Sequence, residues 1–444
     1  MSNCKHFAIC GLTDEADPEA GLCILHSQKP DKAQEAFRKA LDSHRAKSVD
    51  YRLVLFPTTI FFGNTVFEKR CNFSGAVFSE IADFASATFS GGADFNGTSF
   101  KEGAVFHNAV FDGDVHFTMS MFTERASFFD VSFHGEAQFY SVTFTKEVSF
   151  AGASFKKSGS FAGSTFHMGG DFTGARFEQG DATFTGSSFL GRTRFSSPPD
   201  ESVGLLFAKD VEVAFRRVRV DPPDALEFIG VDLSKCSFWE TDLRGMRFLG
   251  VQWVRMPWTR LSKGWRNGIY DEVLLRAQEI KPYAKVETLY RQLKKNYEEQ
   301  RDYERAGDFH YGEKEMRLRN PKTSPGLRLF LWLYKCASGY GERWLPPIVW
   351  SLCLLLLGSA GYLYCGLRVA GRLLPFEWDM WNAVVDGVPM WVRSLLFSLR
   401  TMTLLKPDDM VPLGWGSVVQ TVQNLLGPIL LGLAALAIRQ RLRR

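Results

Sequence analysis

The residues best suited to chemistry are three cysteines and a histidine near the amino end. Cys4, Cys10, Cys23 and His26 follow the pattern C-x5-C-x12-C-x2-H, with His6 close by. Three thiolates and one imidazole complete a tetrahedral zinc shell. A short segment with no core of its own gains most from such a clip, because metal affinity then becomes folding free energy. Cys23 and His26 bring two ligands together across one turn, whereas Cys4 and Cys10 are set wider apart than is usual. His6 could take the place of Cys4, and free thiols in a reducing compartment are the plain alternative. A structural zinc is the expectation, since no open coordination position or general base favours a catalytic one. Elsewhere there is no Gly-rich phosphate loop ending in Lys-Ser/Thr, no His-Glu-x-x-His and no nucleophile elbow. A non-enzymatic protein with no organic cofactor is expected.

The element beside this cluster is a repeat. Phe recurs from Phe56 to Phe195 at spacings that alternate between five and six residues. Two positions before nearly every one stands a small or slim residue, as at Cys71, Ala76, Ala82, Ala87, Ala93 and Thr98. No helix has this period; a solenoid does. Two sides take eleven residues and four sides take twenty-two, a period that three sides would not divide evenly. Coils stack at ~4.8 Å, so roughly six coils and a rod about 30 Å long are predicted for this block. After Ser196-Ser197-Pro198-Pro199, the residues Phe228, Leu233, Phe238, Leu243, Phe248 and Trp253 recur at a strict five and predict one or two coils more.

This pattern resembles the pentapeptide-repeat family. The resemblance implies a β-solenoid, a right-handed quadrilateral β-helix with Leu or Phe at the centre of each side. It also implies a rigid scaffold or a binding surface for a cytoplasmic partner. Acidic residues only slightly outnumber basic ones between Phe56 and Phe195, and the whole chain carries +4. DNA mimicry and nucleic-acid binding are therefore not expected. His107, His116, His134 and His167 are expected to point outward.

The organisation expected is a zinc knuckle over 1–30, a capping helix over 31–50, the β-helix over 51–258, an α-helical connector over 265–340 and a membrane module over 341–444. Ala33, Phe37 and Leu41 lie on one face of the capping helix and suit a lid over the first coil. In the connector, Leu289, Leu293 and Tyr297, then Tyr303, Ala306, Phe309 and Met316, predict helices over 284–300 and 302–319. They resemble a tetratricopeptide-type hairpin, although one hairpin is too few for a binding array.

Residues 344–367 and 410–438 carry no charge. Each run exceeds the ~20 apolar residues that cross a bilayer. Trp344, Trp350, Tyr362, Tyr364 and Trp415 suit the interfaces, and the basic flanks (Lys335 and Arg343 before, Arg439 to Arg444 after) place both termini in the cytoplasm. The eight cysteines show no disulfide-scaffold spacing, and residues 1–20 do not read as a secretory signal. A multi-pass protein of a bacterial inner membrane is expected.

Between the spans, residues 391–405 are too short to cross and either re-enter the bilayer or lie flat on it. The run from Phe397 to Thr403 (Phe-Ser-Leu-Arg-Thr-Met-Thr) resembles the pore-helix end of two-helix ion channels. No Gly-Tyr-Gly follows, so potassium selectivity is not expected. The run Leu426-Gly-Pro-Ile-Leu-Leu, with its basic tail, resembles the last helix of bacterial pentapeptide-repeat membrane proteins with a two-span, channel-like module. That resemblance implies a homo-oligomer, most simply a tetramer, because two helices cannot enclose a water path. Ser398, Thr401 and Thr403 are candidates for a narrow part. Gln420, Gln423 and Asn424 are candidates for a wall, or equally for helix packing and a subunit interface. A membrane-tethered scaffold without conduction, or a defence effector that permeabilises the membrane, are the alternatives.

Overall fold

A computed structural model describes residues 4–6, 10, 21–29, 32–198, 205–258, 264–277, 283–369, 372–374, 384–385, 387–405 and 410–442. The chain divides into two compact units, Met1–Asn296 and Tyr297–Arg444.

The first unit is built on a β-solenoid. Four parallel sheets of eight, nine, six and eight strands form its sides, giving about nine turns. Most strands are two residues long, and each pairs with the strand one coil away. Phe56 pairs with Phe78, Phe78 with Phe100 and Phe100 with Phe122, a register of twenty-two residues. The Phe at the centre of each side points inward and stacks on the next, as Phe95 does on Phe117 at 4.8 Å and Phe117 on Phe139 at 4.9 Å. Rings eleven residues apart, on opposite sides of the coil, meet edge to face, as Phe106 does with Phe95 and with Phe117, which suits the quadrupole of each ring. The four histidines are all at least partly exposed on the outer surface.

The alternation of five and six has a backbone cause. On each five-residue corner the Phe carbonyl accepts from the N–H three residues on, as from Thr65 to Phe62 (3.2 Å) and from Ala76 to Phe73 (2.9 Å). The residue between carries a positive φ at positions 53, 64, 75, 86, 97, 108, 119, 130, 141, 152, 163 and 174, eleven apart throughout. This is the type II turn, which needs a left-handed residue at its third position. The six-residue corners turn more widely.

The count of coils exceeds the six plus one or two predicted. The strands on either side of residues 198–206 stay in one stack, with Phe177 bridged to Phe207 and Phe195 paired with Phe228. The last coil shortens to twenty residues, pairing Phe228 with Phe248.

Both ends of the stack are covered. At the start, helix α1 (Gln34–Arg45) buries Phe37 and Leu41, and Phe37 meets Phe56 edge to face at 6.0 Å. At the end, α2 (Tyr270–Arg276) and α3 (Tyr283–Glu299) stand where another coil would be. Their side chains replace its backbone. Asp271 accepts from Phe238 N–H at 2.9 Å and Ser237 Oγ at 2.8 Å. Gln292 accepts from Leu243 N–H at 3.1 Å, and Asn296 donates to Leu243 O at 2.6 Å. An open sheet edge is thereby blocked against pairing with another chain.

The second unit is α-helical: α4 (Tyr303–Arg319), α5 (Pro325–Ser338), α6 (Leu345–Cys365), α7 (Met390–Met402) and α8 (Gly416–Leu442). Glu315 of α4 is buried between Lys335 (2.8 Å) and Arg319 (2.7 Å). Short antiparallel strands, Leu367–Val369, Arg372–Leu374 and Met410–Pro412, form one sheet between α6 and α8 in the chain.

Candidate metal centre and helical bundle

The four residues of the amino-terminal pattern converge. Cys4, Cys10, Cys23 and His26 are all buried, with one ligand atom from each lying within 4.8 Å of the others. Cys23 Sγ stands 3.6 Å from Cys10 Sγ and 3.3 Å from His26 Nδ1, and Cys4 Sγ is 3.8 Å from His26 Nδ1. Ligands at ~2.3 Å from a tetrahedral ion would sit about 3.7 Å apart, so the cluster can hold a metal ion.

Neighbouring groups set the ligand atoms. His26 Nε2 lies 3.0 Å from the carbonyl of Arg52, which takes the ring proton and leaves Nδ1 as the electron-pair donor. Burial lowers the imidazole to about 4, keeping it neutral. Burial raises the Cys23 thiol to about 12 in the metal-free protein. At Cys4 burial also raises the thiol, but the N–H groups of Cys23 (3.3 Å) and His6 (3.4 Å) outweigh it and hold the thiol below its ordinary value. The site is tied to the solenoid: Leu55 N–H donates to Leu25 O at 3.2 Å, and Arg52 begins the first coil.

The second cluster is polar and lies among α6, α7 and α8. Gln423 is fully buried and donates from Nε2 to Leu354 O at 2.8 Å and to Ser398 Oγ at 2.7 Å. It accepts from Tyr362 OH at 2.8 Å. Ser398 donates in turn to Leu355 O at 2.8 Å, and Ser359 and Ser394 share a hydrogen bond of 2.7 Å. Two glycines make room. A Cβ on Gly358 would collide with the Gln423 amide, and one on Gly427 would meet Met402 O at 2.7 Å.

These contacts fix how deep α7 reaches. Leu355 is the middle residue of α6, and Gly427 lies halfway along the apolar stretch Gly416–Arg439 of α8. Helix α7 therefore starts beside the carboxyl-terminal part of α6, at Ser359, and ends level with the midpoints of both long helices.

The candidate residues separate in this bundle. Ser398, Thr401 and Gln423 are brought together inside it. Thr403 is exposed and bonds back to Leu399 O at 2.9 Å. Asn424 is exposed on the outer face of α8, together with Ser417 and Thr421, and Gln420 is half-buried beside them. Gln423 thus parts from Gln420 and Asn424, the other two wall candidates; a helical step of 100° per residue carries it onto the neighbouring, inward face. Tyr362 turns into the bundle, its ring buried edge to face on Phe397 at 4.7 Å. Tyr362, Ser359 and Ser394 were missed as parts of the cluster. The small residues at Gly358 and Gly427 are the signal that could have found them.

The outward surfaces of α6 and α8 are apolar, with Leu357 72% and Leu425 67% exposed. Both helices are long and apolar enough to cross a membrane. Helix α5 also exposes Leu329, Phe330, Trp332 and Leu333.

Residues 73–121 match the model of a family described as pentapeptide repeats (9 copies). With the solenoid built on that repeat, the chain carries a pentapeptide-repeat domain followed by two possible membrane-spanning helices. No curated protein and no solved structure matches it.

Proposed function

We propose that this protein is a homo-oligomeric, channel-like membrane protein whose pentapeptide-repeat domain binds a partner or ligand in the cytoplasm. The observation that carries the reading is the depth of α7. A short helix that ends level with the midpoints of two long apolar helices suits re-entry into a bilayer and does not suit a helix lying flat on it. Backbone that stops at membrane depth is tolerated where protein or a water-filled cavity covers it. The exposed polar residues Ser417, Thr421 and Asn424, with the half-buried Gln420 beside them, support the same reading, since such groups on an apolar helix seek water or a partner helix. The apolar face of α5 suits the lipid surface beside the first span.

A zinc ion bound by Cys4, Cys10, Cys23 and His26 would act structurally, closing the cap on the first coil. Purified full-length protein should then carry one zinc per chain, and Cys23→Ser should lose it; metal analysis that finds none removes this part. For the pore, full-length protein in planar bilayers should conduct, and Asn424→Leu or Gln420→Leu should change that conduction. The second reading, a tethered scaffold, is favoured by the internal satisfaction of Gln423, which packing alone explains. A monomer in detergent, or a silent oligomer, would decide for it.

A further inference from the structure

Helix α5 turns its charges toward the protein and its apolar side away from it. It holds two charged residues, Arg328 and Lys335. Arg328 donates back to the carbonyls of Asn320 (3.2 Å) and Pro321 (3.1 Å), and Lys335 pairs with the buried Glu315 at 2.8 Å. On the other side Leu329, Phe330, Trp332 and Leu333 are each more than half exposed. An apolar arc of that extent calls for a cover.

The place of α5 says which cover fits. Trp350, on the second turn of α6, donates from Nε1 to Cys336 O at 3.1 Å, and both residues are exposed. The apolar surfaces of α5 and α6 therefore meet. Gly358 faces Gln423 and Gly361 faces Val419, so α6 and α8 run antiparallel and the start of α6 lies toward the basic end of α8. Trp350 stands about 7.5 Å along α6, the depth at which a surface-lying helix seats its apolar side in a bilayer.

The surroundings are basic. Residues 317–343 contain Arg317, Arg319, Lys322, Arg328, Lys335 and Arg343 against one acidic residue, Glu342. Arg317 and Lys322 are exposed before the amino end of α5, and Arg343 folds over Gly339 at its carboxyl end. These three form no ion pair among the described residues. Cations thus stand at both ends of an exposed apolar helix about 21 Å long. Basic residues beside a span attract anionic headgroups, with about a fivefold gain in affinity for each cation.

We infer that α5 lies in the headgroup layer at this end of the bundle, and that Arg317, Lys322 and Arg343 bind the phosphates of anionic phospholipids there. The inference rests on the membrane reading above, is independent of conduction, and adds the class of lipid.

The test uses full-length protein in phosphatidylcholine vesicles, with part of the lipid brominated high in its acyl chains so that it quenches nearby tryptophan. Replacing unbrominated phosphatidylcholine by phosphatidylglycerol should displace the quencher and restore emission. Trp332→Phe should remove most of that response. Arg317→Gln, Lys322→Gln and Arg343→Gln should each weaken it, with up to about a fivefold loss of preference for the anionic lipid, and the triple variant should abolish it. Arg343→Lys keeps the charge and should keep the response. Should the triple variant fail to reconstitute, the single variants and Trp332→Phe still decide. Emission unmoved by phosphatidylglycerol, or moved as much in the triple variant, overturns the inference. So does an unchanged response in Trp332→Phe, which would leave this face to a protein partner. Inorganic phosphate that matches phosphatidylglycerol, at an ionic strength where potassium chloride does nothing, overturns the lipid as the source of the anion. Protein that enters no vesicle removes the membrane reading itself.

Discussion

The solenoid and the helical bundle differ in where their large apolar side chains go, into the stack in one and onto both the inner and the outer faces in the other. Inside the solenoid the stack is phenylalanine on all four sides, and the buried hydroxyls, such as Thr98, Ser164 and Ser187, bond to backbone carbonyls one coil away. Inside the bundle Gln423, Ser398, Ser394 and Ser359 hydrogen-bond to one another or to backbone, while Leu352, Leu356, Leu425 and Ile429 face out. Each arrangement suits a different solvent. In water, apolar burial drives folding at about 25 cal/mol per Å². In lipid that drive is absent, and close packing with interhelical hydrogen bonds takes its place. One chain therefore contains two cores that should respond differently to the same kind of substitution.

The largest effect is expected in the phenylalanine stack. Phe117 is fully buried between Phe95 and Phe139. Phe117→Ala should cost about 3–5 kcal/mol, measured by denaturant unfolding followed by circular dichroism. A loss under 1 kcal/mol would mean the coils can collapse around the gap, and would blur the contrast with the bundle.

In the bundle the expected effects are smaller and polar. Gln423→Leu removes a hydrogen-bond partner from each of Tyr362 OH, Ser398 Oγ and Leu354 O, and should cost about 1–3 kcal/mol. Asn424→Leu, one residue on but outward, should change stability by less than ~0.5 kcal/mol. Thermal unfolding in detergent compares the two. Equal losses would show that the inner and outer faces of α8 are not distinct.

A third test uses pH. Burial raises the Glu315 carboxyl, but Lys335 and Arg319 outweigh it and hold it below the ordinary carboxylate range. A depressed value stabilises the folded state above the unfolded pKa of ~4.3 and is lost as pH falls through the folded value. The unfolding temperature of the helical unit should therefore drop below about pH 4. Glu315→Gln should flatten that drop while lowering stability at neutral pH. A wild-type profile already flat across this range contradicts the assignment.

The repeat was legible because its period depends on nothing outside the repeat: eleven residues make two sides wherever they occur. The convergence of Cys4, Cys10, Cys23 and His26 was legible because few other roles space three thiols and an imidazole so closely. What stayed hidden depends on neighbours distant in sequence. Gln420, Gln423 and Asn424 fall within one arc of α8, and only Gly358 on another helix decides which turns inward. Asp271, Gln292 and Asn296 carry no local mark of an end cap, since their partners are backbone groups of the last coil. The eleven-residue turn was masked where Leu53 and Met119 stand in place of Gly or Asn.

That masking leads to the smallest effect expected. Gly97 and Met119 occupy equivalent corners, with φ of 63° and 57°. A Cβ at Gly97 would meet nothing within 4 Å, so Gly97→Ala introduces backbone strain alone. That strain is roughly 1–2 kcal/mol, offset by about 0.4–1 kcal/mol of lost unfolded-state freedom. The net loss should be between about 0 and 1.6 kcal/mol. Met119→Gly reverses the terms. Its side chain is 68% exposed and contributes little packing, so relief of strain should balance or slightly exceed the entropy of the added glycine. The two variants, compared by denaturant midpoint at equal slope, should move in opposite directions or differ by about 1 kcal/mol. If both destabilise equally, the left-handed corner is not what sets the five-residue side.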